Sequence, residues 1–158
     1  MITAHLPSGY ILGRTAQRYG VHPWLMPAAL LGAVLPDFDL IWFYLIDNRA
    51  FHHHSYWVHI PGFWLVVAAL TLLGLRQVRP RWLPPARVFF AAIFLHLVLD
   101  TVAGDIAWAW PFSDRFFHFF TVPATQSHFI LSFLLHWTFS LELMIWALAI
   151  YLYAKVKL

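Results

Sequence analysis

Cysteine is missing from this chain. Its absence excludes a disulfide framework and any thiolate metal site, so a bound metal must rely on histidine and carboxylate. Charge is scarce as well: 11% of the 158 residues are charged, against 61% hydrophobic and 19% aromatic. Soluble domains carry about 25% charged residues, so this composition points to a membrane protein. The first residues, MITAHLPSGYILGRTAQR, lack the basic leading region of a signal peptide, since their arginines follow the apolar stretch. They are expected to belong to the mature protein. No internal repeat or low-complexity linker divides the chain, and residues 1–158 are expected to form a single integral-membrane domain. The net charge of +3 does not predict a nucleic-acid partner, because the basic residues are placed as topology signals.

What the chain has in plenty is apolar runs. Four long ones cover roughly residues 24–46, 58–75, 87–103 and 129–153, and each can cross a hydrocarbon core of about 30 Å as a helix. A shorter one at residues 3–18 predicts a short, tilted or re-entrant helix. The expected fold class is all-α: a polytopic membrane helix bundle of four long transmembrane helices plus a short N-terminal helix. Eight of the ten basic residues (Arg14, Arg18, Arg76, Arg79, Arg81, Arg87, Lys155, Lys157) fall on one side of such a bundle, and only Arg49 and Arg115 on the other. The first side is therefore cytoplasmic.

Three acids, Asp47, Asp105 and Asp114, lie in the outer connections. The other four, Asp37, Asp39, Asp100 and Glu142, interrupt apolar segments. A carboxylate at such a place costs about 2.5–3.5 kcal/mol on insertion scales, and such residues face a bundle interior and have partners. Counted from the cytoplasmic helix ends at about 1.5 Å per residue, Asp37 and Asp100 both lie roughly 20 Å up, and His5 reaches a similar height. His96 is one turn below Asp100, and His59 starts its helix near the same level. Asp39 belongs to the same layer.

His96 and Asp100, four residues apart in HLVLD, share one helix face and can grip one ion. Asp37 and Asp39, in PDFD, point about 200° apart on a regular helix. Both can address one centre only if the helix is distorted, and Pro36 removes a backbone donor and kinks it. One of these acids would then bind metal while the other orients a ligand. The stretch RAFHHHSYWVHIPGFW places His52, His53, His54 and His59 at the outer mouth of an apolar segment. Histidine also favours interfaces for ordinary reasons. The ligand candidates here are His59 and one of His53 or His54. Glu142 lies deeper, and Arg14 is the candidate partner at comparable depth. His22, His118 and His136 read as packing or interfacial residues.

HLPSG at the start, GAVLPDFD, HSYWVHIP and HLVLDTVAGDIAWAWPF together resemble the YdjM-like family of membrane-bound metal-dependent hydrolases, over about residues 1–120. The matching positions are His5 and Gly9; Pro36, Asp37 and Asp39; and His96, Asp100, Gly104, Trp110, Pro111 and Phe112. The middle motif departs from the family pattern, lacking its Arg, Thr and Ser. Its best alignment runs from His54 to Val58, His59 and Ile60. The order of ligands is also distantly similar to the zinc-dependent phospholipase C and single-strand nuclease superfamily. This chain lacks a second HxxxD, so one or two metal ions are expected rather than three.

The resemblance implies a divalent metal, zinc first, held by residues drawn from His5, Asp37, Asp39, His54, His59, His96 and Asp100. Asp37 or Asp39, whichever is not a ligand, would be the catalytic base. His53 and Arg115 are the substrate-binding candidates, although Arg115 reads more readily as an interfacial anchor beside Phe116, Phe117, Phe119 and Phe120. The expected function is a hydrolase of the bacterial inner membrane. It would act on a lipid or lipid-linked phosphoester, with its site facing the periplasm. The rival reading is a transporter or proton relay built from the same acids and histidines.

Overall fold

The computed structural model describes residues 1 and 3–157; of residues 156 and 157 only the backbone is described. Among the described residues seven α-helices follow one another: α1 (His5–Tyr19), α2 (Leu25–Val34), α3 (Asp39–Leu45), α4 (Pro61–Val78), α5 (Leu83–Thr101), α6 (Phe129–Leu134) and α7 (Phe139–Lys157). Short 3-10 turns at Pro36–Phe38, His53–Ser55, Trp57–His59 and Pro80–Trp82 join them. No strand forms among the described residues; the loop between α5 and α6 carries one isolated antiparallel bridge, between Ile106 and Phe117.

Among the described residues two stretches are long and apolar enough to cross a bilayer: Pro61–Val78, of 18 residues, and Pro80–Thr101, of 22. A third arises if α2 and α3, bent by 48° about Pro36, form one broken span. At about 1.5 Å per residue the first two are roughly 27 and 33 Å long, enough for a core of about 30 Å. Leu65, Val66, Leu70 and Leu73 of α4 are exposed, as lipid-facing side chains are. Proline explains the break before α3: it cannot donate to the preceding turn, and the chain tightens into a 3-10 turn there.

The expected fourth long helix, over residues 129–153, is interrupted. Six-residue α6 stops at Leu134 and α7 begins at Phe139. His136 Nδ1 pairs with Thr138 Oγ1 at 2.9 Å, and Ser140 Oγ donates to the Trp137 carbonyl at 2.6 Å. Such local side-chain bonds offer the backbone an alternative to the helical ladder.

Small residues bring α1, α2 and α5 close. A Cβ at Gly9 would lie 2.5 Å from Ala33 Cβ, and one at Gly32 would collide with the Phe89 carbonyl. Helices in lipid associate by such close approach, since burial from water is not available to drive them together. The loop between α5 and α6 is tied to the end of α5: Phe119 N–H donates to Thr101 O at 2.8 Å and Phe120 N–H to Val102 O at 3.0 Å. Carbonyls left free at the helix terminus are thereby satisfied.

Candidate metal centre

Four parts of the chain converge where α5 meets the bend at Pro36. α5 contributes His96 and Asp100, one turn apart. The first turn of α1 contributes His5. The 3-10 turn and the start of α3 contribute Asp37 and Asp39, and the two short turns before α4 contribute His53, His54 and His59. All but His53 and Asp37 are buried. Asp100 is the hub. Its Oδ2 lies 2.9 Å from His96 Nε2, 3.7 Å from His59 Nε2 and 3.8 Å from His54 Nε2, while its Oδ1 lies 3.1 Å from His5 Nε2. The amino group of Met1 is 2.7 Å from the same Oδ1. Asp39 Oδ2 lies 2.8 Å from His59 Nδ1, and Asp37 Oδ1 lies 3.7 Å from His96 Nε2. The tightened backbone lets the two aspartates reach one cluster from different sides.

Three sets of ligand atoms lie within 4.8 Å of one another: His53, His54 and His59; His5, Asp37 and His96; and His59, His96 and Asp100. Donors bonded to one ion at about 2.0–2.2 Å are necessarily separated by roughly 3–4 Å, so this spacing suits a shared cation. Hydrogen bonding gives a second, independent sign. The buried side-chain nitrogens and oxygens that lack a hydrogen bond among the described residues belong to His5, Asp39, His53, His59, His96 and Asp100, all members of this cluster. Several of these atoms face only one another, His96 Nε2 at 2.9 Å from Asp100 Oδ2 and His59 Nδ1 at 2.8 Å from Asp39 Oδ2, so the polar atoms of the cluster turn inward on one place, as they do around a ligand.

The backbone sets the ring orientations. His96 Nδ1–H donates to the Ala33 carbonyl at 2.8 Å, and His54 Nδ1–H to the Asp105 carbonyl at 3.1 Å. Each bond fixes the tautomer and leaves Nε2 as the inward lone pair, as ligating histidines require. His5 uses the other nitrogen: Nε2–H donates to the Met1 carbonyl at 2.8 Å, and Nδ1 is left free. Burial pushes the His54 imidazole down to about 2, against the pull of Asp100 and with the help of neighbouring histidines. Burial and His53 likewise lower His52. His54 is thus a neutral nitrogen donor, and its contact with Asp100 is not an ion pair.

One side of the centre opens into a cavity of about 340 Å³. Asp37, His52, His53, His54 and Asp100 form its polar wall, and Val122, Ala124, Phe129 and Phe133 its apolar one. Of the two acids of PDFD, Asp37, 32% exposed, faces this space; Asp39 is 4% exposed and does not line it. Gly104 supplies the floor beside His54, where a Cβ would stand 2.8 Å from the ring carbon Cε1. Gly104→Ala is expected to push His54 aside and weaken metal binding by about tenfold, the low end for changes behind a ligand. Competition with a chelating dye would measure it, and an unchanged affinity would separate His54 from the centre.

The structure thus assembles His5, Asp37, Asp39, His53, His54, His59, His96 and Asp100. It does not bring Arg115 in: that residue lies exposed in the loop between α5 and α6 and is not part of the cavity wall. Arg14 does not meet Glu142 either. Arg14 donates to Gln17 Oε1 at 3.0 Å, whereas Glu142 accepts from Thr3. The arginine lies further along α1, on a face turned elsewhere. His118, read as interfacial, bonds Asp105 Oδ1 at 2.6 Å behind the Asp105 carbonyl that orients His54. The supporting carbonyls of Ala33 and Asp105 were invisible to sequence reasoning because every residue has a carbonyl.

An all-helical chain with two or three apolar spans and a buried histidine–carboxylate cluster suited to metal defines a class: integral membrane proteins with a candidate metal centre in the helix bundle. The particular family follows from comparison. This chain belongs to the YdjM inner membrane protein family, whose sequence model matches residues 1–158. No curated protein and no solved structure matches the chain.

Proposed function

We propose that this protein is a metal-dependent hydrolase acting on a lipid or lipid-linked phosphoester at the outer leaflet, with its site open to the periplasm. The observation that carries the reading is the convergence of unpaired buried nitrogens and oxygens on one point beside an open cavity. A staple that merely joined helices would have no need of that cavity. The polar wall suits a phosphate and the wall of Val122, Ala124, Phe129 and Phe133 suits a hydrocarbon chain, so an amphiphile fits both. The orientation rests on the distribution of lysine and arginine.

His96, His59 and Asp100 are the central ligands, and His5 and His54 extend the set toward one or two ions. A bound divalent ion, zinc by this donor set, would supply an acidified water and a polarised phosphoryl oxygen. Asp37 is placed to take the proton from the attacking water, since it is the carboxylate open to the cavity. Asp39 turns the His59 ring by its contact with Nδ1. His53, on the cavity wall and 25% exposed, is placed to hold a phosphate oxygen.

Elemental analysis tests the centre. Detergent-purified protein never exposed to chelators is expected to carry about one or two zinc ions per chain, and His96→Ala to carry fewer. Incubation with a fluorescent long-chain phosphodiester should then release product only from metal-loaded protein. Wild-type protein without metal would end the hydrolase reading; metal without turnover across phosphodiester and phosphomonoester lipids would leave a binding centre alone.

A further inference from the structure

Glu142 is fully buried in α7 and lies outside the ligand cluster. A carboxylate there needs compensation, and the structure shows what it receives. Glu142 Oε2 accepts the backbone N–H of Thr3 at 2.7 Å and the Thr3 hydroxyl at 2.5 Å. Trp146, one turn further along the same helix face, donates its indole N–H to Thr3 Oγ1 at 3.2 Å. α7 therefore grips Thr3 with an i, i+4 pair of side chains.

Thr3 stands two residues before His5, the first residue of α1. The residue that precedes the helix, Ala4, offers no side-chain cap. The free N–H groups and the positive end of the helix dipole favour an acceptor and a negative charge at this terminus. Glu142, from another helix, brings a carboxylate to Thr3, the residue just ahead of this terminus. The same first turn carries His5, whose ring stacks on His96 at 3.7 Å between centroids and leaves a buried Nδ1 without a hydrogen bond.

We propose that Glu142 is a positioning residue for the metal centre. Through Thr3 it fixes the start of α1 and so holds His5 against His96 and Asp37. This inference rests on the metal-centre reading. It makes the last helix, which supplies none of the central ligands, a determinant of metal affinity.

Titration of chelator-stripped protein with Co(II), followed by its visible absorption, tests the proposal without any assay of turnover. Glu142→Ala is expected to weaken binding about 10–100-fold, the range for groups that orient ligands. His5→Ala should weaken it as well, and adding Glu142→Ala to His5→Ala should cost nothing further, because the route through His5 is already lost. Glu142→Gln, which keeps an acceptor oxygen, should recover part of the affinity. Thr3→Val removes the hydroxyl alone, and serves if Glu142→Ala does not reach the membrane folded. Its expected effect is smaller, in the same direction and equally absent in the His5→Ala background. A role confined to stability would lower the thermal midpoint and leave the Co(II) affinity of folded protein unchanged. That result, or full additivity with His5→Ala, overturns the proposal. Wild-type protein that takes up no Co(II) would remove the metal centre itself, and this inference with it.

Discussion

Asp100→Asn is expected to empty the centre. The change keeps the shape of the side chain and one acceptor oxygen. It removes the charge that His5, His54, His59 and His96 surround at 2.9–3.8 Å. Metal affinity should fall by more than about 100-fold, beyond the range for groups that merely orient ligands, and hydrolysis with it. The metal-free form should also lose stability, since the buried amino group of Met1, 2.7 Å from the carboxylate, is left without its counter-charge. Elemental analysis beside a thermal midpoint of the chelator-stripped proteins separates these effects. Retained metal in the variant would displace Asp100 from the hub.

Asp37→Asn should divide binding from chemistry. Asp37 opens to the cavity and stands 3.7 Å from His96 Nε2, further out than Asp100 does. An asparagine there cannot accept a proton from water. Turnover is expected to fall about 10²–10⁴-fold, the contribution typical of a positioned general base. Metal content should stay near that of the wild type, and substrate affinity should change little. The measurement is the rate of product release at saturating metal and substrate beside zinc per chain. Parallel loss of metal and rate would make Asp37 a ligand and end its assignment as the base.

The candidate ligands were legible in the chain for a simple reason. Charged groups in apolar segments are costly, so Asp37, Asp39 and Asp100 could be recognised as partnered before any partner was known. Helical rise then placed them and His96 at one depth, and the four-residue spacing of His96 and Asp100 placed both on one face. Pro36 announced a distortion, and the bend of 48° lies there. The choice among His53, His54 and His59 was not legible, because an irregular loop has no periodicity from which to compute direction. The structure brings all three into the cluster, in different ways. His59 is fully buried, His54 is aimed by a carbonyl 51 residues away, and His53 remains on the cavity wall.

Two readings failed through the limits of one-dimensional reasoning. The run at residues 129–153 is apolar enough for one long helix, yet His136, Thr138 and Ser140 bond locally and divide it. Apolar composition reports the solvent, whereas continuity of a helix depends on the bonds its polar residues make. Glu142 was paired with Arg14 because depth was the only coordinate available. Depth says nothing of azimuth, and α1 presents Thr3 rather than Arg14 to the carboxylate.

By itself, then, the amino-acid order determined the environment, the helical class and the cost of each intramembrane acid, because these follow from local composition and from a fixed rise per residue. Tertiary structure alone decided which nitrogen of each ring faces the centre, which aspartate sees the cavity, and how Glu142 reaches Thr3. Those depend on carbonyls, glycines and helix faces that meet only after α1, α2, α5 and α7 have packed, and no spacing along the chain encodes the angle at which they do.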